Sequence, residues 1–381
     1  MDFLVKHGWE LNGIRFGYYF FDQNCAYRLL ELLEVARPSL DLSSGFDYYA
    51  MPVDTIRRVV DEGLVKEVEF RPSKQLQFEQ LIGGLSESEK DLVVALAEGR
   101  EAVDGQKVSA LAQTKQQVLM AAYRLLRYQH NKSSRDSEIA KRSLTLLRAS
   151  QTLGEMPYAS AAAPTRPDLG HPTSQFNVGA GVLEDQEFID LQWRISYHDT
   201  LDPLAGYPVG AGLEMLRVGL RWQDDQLKLQ ELVPVDIRSL SPRSQFAKGL
   251  SWGVKGGLER IPSAEHSLKT GLQGDVGGSW RELGGTSYVL VRPRLEYNPE
   301  SAVNWQLGLG GVVGQLWQGE RISAELSAEY LDFTTAASRT RYQFGMNLKL
   351  QHAQSLRLSL DYSRQQGEEF TEAKLAWRRY F

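Results

Sequence analysis

From Ser174 to the C-terminus the chain alternates in character at every second residue, and this constrains its fold more than any other feature. Leu356, Leu358, Leu360 and Tyr362 share one side of a stretch whose other side holds Arg357, Ser359 and Asp361. Ile322, Ala324, Leu326, Ala328 and Tyr330 alternate with Ser323, Glu325, Ser327 and Glu329. The same pattern runs through Ile189–Tyr197 and Tyr342–Leu350. Period 2 is the signature of a strand with two unlike faces. About twelve such segments, each roughly nine to twelve residues long, follow one another through mostly short polar turns. The expected fold of this half is an all-β antiparallel barrel of about 12 strands.

Alternation alone fits a soluble barrel or sandwich as well as a membrane barrel. Three details favour the membrane. Strands of about nine to eleven residues match a tilted bilayer crossing. The polar faces carry full charges (Arg194, Arg217, Arg221, Lys255, Glu259, Glu325, Glu329, Lys349, Arg357) that an enclosed wet lumen accommodates. Aromatics recur near strand ends, at Tyr197, Trp222, Tyr297, Trp317, Tyr330 and Tyr362, as in an interfacial girdle. The chain ends on Ala373, Leu375, Trp377, Arg379 and Phe381 at alternate positions, resembling the terminal strand of outer-membrane barrels except at Arg379. The two longest connections, Thr200–Gly210 and Leu240–Lys248, fall on the side of the chain termini. They are expected to form a platform for the N-terminal domain.

The first half reads differently. Residues 1–157 are expected to form a largely helical domain with a few short strands, 158–173 a proline- and alanine-rich linker, and 174–381 the barrel. Arg15–Phe21 and Val65–Phe70 are expected strands. Helices are expected over Cys25–Glu34 (Leu29, Leu30 and Leu33 on one face), Thr55–Glu62 (capped by Asp54, closed by Gly63) and a segment from Ser86 or Ser88 to Glu98. Longer ones run over Lys107–Tyr128 and Ser134–Leu153.

With 381 residues two domains are the default. A net charge of −5 argues against general nucleic-acid binding, which needs a basic surface. No apolar run of roughly 18 residues exists to make a membrane helix. The single cysteine excludes an internal disulfide.

That cysteine, Cys25, follows the run Tyr18-Tyr19-Phe20-Phe21-Asp22-Gln23-Asn24 and opens a leucine-rich helix. Asp22 or Asn24 can cap the helix or support an oxyanion. A thiol on the first turn is a candidate nucleophile, because backbone N–H groups and the helix dipole favour a thiolate there. Other features carry less. The glycine-rich runs Gly253–Gly257 and Gly308–Gly314 lie in strand patterns, where glycine marks curvature or a bulge. No Cys/His cluster has zinc spacing, so neither metal nor cofactor is expected. His130 and His171 read as surface residues.

His7-Gly8-Trp9-Glu10-Leu11, the run Tyr18–Glu34, Leu33–Pro38 and Pro52–Ile56 together resemble the Lnb-type N-terminal periplasmic domain family. That family is similar to lipoprotein N-acyltransferases and, more distantly, to circularly permuted papain-like thiol enzymes. Its Gram-negative members carry a C-terminal barrel-like domain, and Leu169-Gly170-His171-Pro172 looks like the join. The resemblance implies a periplasmic domain on an outer-membrane anchor, with Cys25 as nucleophile. The reaction implied is acyl transfer or hydrolysis through a thioester, on a lipid or lipoprotein substrate. It also implies a histidine on an earlier strand. His7 is the only histidine near Cys25 in sequence and is the candidate base in this chain. The absence of a signal-peptide pattern before Gly8 adds the expectation that the chain is truncated at its start. The alternative function is a non-catalytic outer-membrane barrel with a periplasmic helical adaptor.

Overall fold

In a computed structural model of the chain, the structure describes residues 2–130, 137–154, 162–261, 267–300 and 303–381. Among them are eight α-helices, one short 3-10 turn at Pro167–Leu169, and twelve strands. The expected helix start near residue 134 and the linker residues 155–161 lie outside the described residues.

The strands run β1 (Gln175–Leu183), β2 (Gln186–His198), β3 (Ala211–Gln223), β4 (Gln226–Ser239), β5 (Ser251–Arg260) and β6 (Leu268–Glu282). They continue as β7 (Gly285–Tyr297), β8 (Trp305–Gln318), β9 (Ile322–Phe333), β10 (Arg339–Gln351), β11 (Gln354–Gln365) and β12 (Glu368–Tyr380). Each pairs antiparallel with its neighbours in sequence, and β1 closes on β12 from Gln175↔Tyr380 to Leu183↔Glu372. Every strand edge is thereby paired, as a bilayer demands of any sheet that crosses it.

The faces are turned opposite to those of a soluble barrel. On β1, Gln175 and Asn177 are buried while Phe176, Val178 and Val182 are exposed. On β2, Asp190 and Arg194 are buried while Ile189, Leu191 and Trp193 are exposed. Ion pairs fill the interior: Arg221 holds Asp190 through two bonds of 2.8 and 3.0 Å, and Arg292 holds Asp275 at 2.7 and 2.9 Å. An apolar outer band around a charged lumen is stable only when hydrocarbon is the outer solvent. The strand half is a membrane-spanning barrel.

By contact density the chain divides into two units. The first combines residues 1–66 with the barrel. It contains α1 (Asp2–Glu10), α2 (Cys25–Ala36) and α3 (Pro52–Asp61). The second comprises residues 67–164 with 245–247. It holds α4 (Lys74–Ile82), α5 (Glu87–Glu98), α6 (Gln106–Ser109), α7 (Lys115–Gln129) and α8 (Ser137–Gln151). Its core gathers Val93, Leu96, Val108, Val118, Leu119, Leu125, Leu126 and Leu146, with Phe246 edge-on to Phe78 at 5.0 Å. Ser86 opens α5 with a full capping box to Glu89.

Several local expectations need correction. Arg15–Phe21 and Val65–Phe70 are not strands, and neither has a strand to pair with among the described residues. The 107–128 helix is two helices, α6 and α7, because the chain breaks after Val108 is buried in the core. Asp54 does not cap α3. Pro52 occupies the first turn, where its missing N–H costs nothing, and Met51 takes the cap position. Leu29 faces outward, and of the three leucines expected on one face of α2 only Leu30 is fully buried.

The 199–210 connection enters the barrel. Asp202 is bonded by arginines of β2, β11 and β12, while Leu201 packs with Tyr288, Leu290, Val312 and Leu316 of β7 and β8. Those strand groups face each other across the ring, so the loop crosses the lumen and fills that end. Leu240, after β4, joins the same cluster, and its N–H donates to the Gly210 carbonyl at 2.8 Å. The inward arginines supply the reason: they need anions, and Asp199 and Asp202 provide them.

Candidate functional site

Cys25 is the first residue of α2 and is exposed. Asn24, itself buried, caps the helix. Its side-chain oxygen accepts from the N–H groups of Ala26 at 3.0 Å and Tyr27 at 3.2 Å. Its amide nitrogen donates to the Ala50 carbonyl at 2.6 Å and to the Phe20 carbonyl at 3.2 Å. The Ala50 N–H returns a bond to the Phe21 carbonyl at 2.6 Å. The turn before Cys25 is thus clamped to residue 50 through one asparagine, whose donors and acceptor are all engaged. Asp22 is not the cap; it accepts from the Gln23 N–H at 2.7 Å.

His7 lies on α1, where its Nδ1 pairs with Glu10 at 3.2 Å. No histidine ring is within hydrogen-bonding reach of the Cys25 thiol among the described residues. The structure therefore provides a presented thiol and a separate histidine–carboxylate pair, with no bond between them.

The same unit is fastened to the start of the barrel. Arg57 of α3 donates to the backbone carbonyls of Asp168, Gly170 and His171 at 2.9, 3.0 and 2.9 Å. Thr173 donates to Asp54 at 2.6 Å, and the Tyr49 and Ser174 hydroxyls bond at 2.7 Å. Residues 166–174 are consequently an ordered strap, with Asp168 held below the usual carboxylate range chiefly by its bond from Arg166.

A second polar centre lies at the strap's end, and sequence reasoning missed it. His171, expected on the surface, is 2% exposed. Its Nε2 lies 3.1 Å from Nδ1 of His198, its Nδ1 lies 2.7 Å from the Pro172 carbonyl, and its ring stacks on Tyr207 at 4.5 Å. The Tyr207 hydroxyl donates to the His171 carbonyl at 2.7 Å. Desolvation pushes the His171 imidazole down to about 3, partly opposed by the Asp202 charge. His171, His198 and Asp202 converge closely enough for a cation to be considered. Asp202, however, already accepts from Arg194 at 2.7 Å, Tyr380 at 2.7 Å, the Asp199 N–H at 3.0 Å, Arg378 at 3.1 Å and Arg357 at 3.3 Å. Three guanidiniums at the carboxylate oppose a metal ion, and the cluster works as a hydrogen-bonded lock on the lumen loop. Two clues existed in the sequence: the Leu169–Pro172 join and the unusual length of the 199–210 connection.

Beyond the loop the lumen keeps a cavity of about 430 Å3 lined by Leu201, Arg238, Asp275, Arg292, Glu329 and Arg341, among others. Acidic and basic side chains line it in equal number, so it carries no field of one sign. Inward Gly308 and Gly314 sit under the rings of Phe333 and Tyr288.

Comparison with known proteins agrees with this division. Residues 1–62 match the Lnb N-terminal periplasmic domain family, and residues 68–155 match a domain of unknown function, DUF7842. A search of the curated proteins finds no match. Among solved structures, the KdgM porin aligns at 12% identity over 54% of this chain and 99% of its own, with a TM-score of 0.33. The NanC porin aligns at 8% identity over 54% and 99%, with a TM-score of 0.35. A loop-deletion mutant of OmpT from Vibrio cholerae aligns at 9% identity over 55% and 97%, with a TM-score of 0.29. Residues 164–380, more than half of the chain, match the model of one family, and this chain belongs to it: the domain of unknown function DUF7840.

Proposed function

We propose that this protein is an outer-membrane-anchored periplasmic thiol enzyme that transfers or hydrolyses the acyl group of a lipid or lipoprotein through a thioester on Cys25. The observation that carries the reading is Cys25 itself: the chain's one cysteine, exposed on the first turn of a helix whose cap, Asn24, is locked on both its donors and its acceptor. The match of residues 1–62 to the Lnb N-terminal periplasmic domain supports it. In the reaction, Cys25 Sγ attacks the carbonyl carbon of an acyl ester. The C–O bond breaks, the alkoxide leaves with a proton, and an amine or water later cleaves the thioester. His7, paired with Glu10, is the histidine to be tested as proton carrier. The barrel serves as anchor. Its lumen is crossed by the 199–210 loop and its charges are balanced, which suits a fixed support better than a selective conduit.

The test uses the full chain in vesicles containing phospholipid with a labelled acyl chain. Hydroxylamine-sensitive label on Cys25, located by mass spectrometry and lost in Cys25→Ala, is the expected result. A folded barrel whose Cys25 stays unlabelled would sink the reading. One observation favours a second reading, a non-catalytic barrel with a helical adaptor: no histidine hydrogen-bonds the thiol among the described residues. On that reading the Cys25→Ala protein retains full function in cells.

A further inference from the structure

We propose that the aromatic run over residues 14–21 is a membrane-seating element that rests in the periplasmic leaflet beside the barrel. Five aromatic side chains, Phe16, Tyr18, Tyr19, Phe20 and Phe21, are crowded into six residues, and all are exposed, Tyr18 at 64% and Tyr19 at 60%. The backbone there is neither helix nor strand, so the rings are not the outer face of a packed element. Exposed apolar surface this continuous is rare where water is the only neighbour and marks an interaction site. Between Ile14 and Phe21 the chain has no acidic residue, and its one charge is the exposed Arg15. Phenylalanine and tyrosine with a basic flank suit the zone where acyl chains meet phosphate headgroups.

The occupant follows from continuity with a surface already in the membrane. Phe21 is hydrogen-bonded to Ala50, and the neighbouring Tyr49 hydroxyl bonds Ser174 at the barrel rim. Ser174 in turn exchanges two backbone bonds with Phe381, at 3.1 and 3.0 Å. On the outer wall at this end stand Phe176, Trp193 and Phe381, all exposed. The run is therefore tethered at the level of the barrel's own aromatic girdle, and lipid is the partner that girdle already has. Seating there fixes the height of Cys25, which follows four residues after Phe21. The inference does not rest on thiol chemistry: the run seats whether or not Cys25 carries an acyl group.

The test places one nitroxide at a time in a Cys25→Ala background of the full chain, in vesicles of phosphatidylethanolamine and phosphatidylglycerol. Tyr19→Cys probes the run, and Leu375→Cys, on the outward face of β12, reports a lipid-facing reference. The expected result is that the Tyr19 probe is relaxed more by oxygen than by a water-soluble nickel chelate, as at Leu375. Preference for the chelate, like that of free label in water, overturns the proposal. So does spin–spin broadening that vanishes on dilution with unlabelled protein, because the occupant is then a second copy. Heat-modifiable migration of each variant establishes that the barrel is folded, and a Phe16→Cys probe repeats the measurement if Tyr19→Cys does not fold.

Discussion

Arg194 of β2 donates to Asp202 of the 199–210 loop at 2.7 Å, and neither side chain is exposed at all. The pair ties a loop that lies across the lumen to the wall that surrounds it. Arg357, Arg378 and Tyr380 converge on the same carboxylate, so the loop is held by one residue more than by its length.

Removing that carboxylate should be expensive. Asp202→Ala leaves the Arg194 charge buried with only Glu214 and, farther off, Asp199 to answer it. Breaking one side of a buried pair typically costs about 3–5 kcal/mol. The expected outcome is a lower urea midpoint for the reconstituted barrel and new proteolytic cleavage between Leu204 and Val209. The double variant Arg194→Met/Asp202→Leu should recover part of the loss. A loop that stays protected in Asp202→Ala would show that the apolar packing of Leu201 holds it instead.

Stability should fall with acid in a definite window. His171 is neutral in the folded protein and carries a pKa of about 3 against an ordinary 6.5. The unfolded chain therefore binds its proton first. The contribution is full above about pH 6.5 and is lost as pH falls toward 3, at up to about 1.4 kcal/mol per pH unit. Asp202 adds to the loss only at the acid end. Burial alone raises its carboxyl, but Arg194 outweighs this and holds it below the usual range. Urea midpoints read by tryptophan fluorescence should decline between about pH 7 and about pH 4, and His171→Gln should flatten the decline. An unchanged slope in that variant would remove His171 from the account.

Asn24 should matter more than Cys25 for the fold of α2. Cys25 is exposed, so Cys25→Ala should change stability by less than about 0.5 kcal/mol. Asn24→Ala removes the cap and leaves the Ala50 carbonyl without its side-chain donor, a loss of about 1–2 kcal/mol or more. Hydrogen exchange of the Ala26 and Tyr27 amides reads this directly. Asn24→Asp separates the two roles, since it keeps the acceptor and loses the donor. Slow exchange retained in Asn24→Ala would mean that packing of Leu30 fixes the helix start.

How far the sequence foretold these features depends on how local their causes are. Strand number and facing were legible because period 2 is written residue by residue: Leu356 to Tyr362 shows one wall without knowledge of any neighbour. The cap of α2 is legible for the same reason as far as the pair Asp22 and Asn24; the bonds to Ala26 and Tyr27 choose Asn24. The histidine lock was not, because His171 and His198 meet only when β1 closes beside β2 and the 199–210 loop turns inward. A strand over residues 15–21 was expected from aromatic content alone; consecutive rings do not alternate, and no partner edge adjoins them among the described residues. The inward arginines are legible as the lining of a wet lumen, but their pairing with carboxylates of the 199–210 connection depends on that loop turning inward, which no local pattern encodes.

The glycines of β8 give the last expectation, and it concerns assembly. A β-carbon on Gly310 would overlap the Tyr330 carbonyl oxygen of the paired strand β9, which is backbone and cannot yield without breaking the ladder. On Gly256 of β5 the nearest atom to such a carbon would be 3.5 Å away, at the Leu272 side chain, an ordinary contact. Gly310→Val should therefore abolish the heat-modifiable folded form, while Gly256→Ala should leave it intact. Because β8 must pair with both β7 and β9, a failure at Gly310 interrupts the sheet before it can close. Normal folding yield of Gly310→Val would mean that the β8–β9 register shifts to make room, and cross-linking of Gly310 and Leu331 positions would detect that shift.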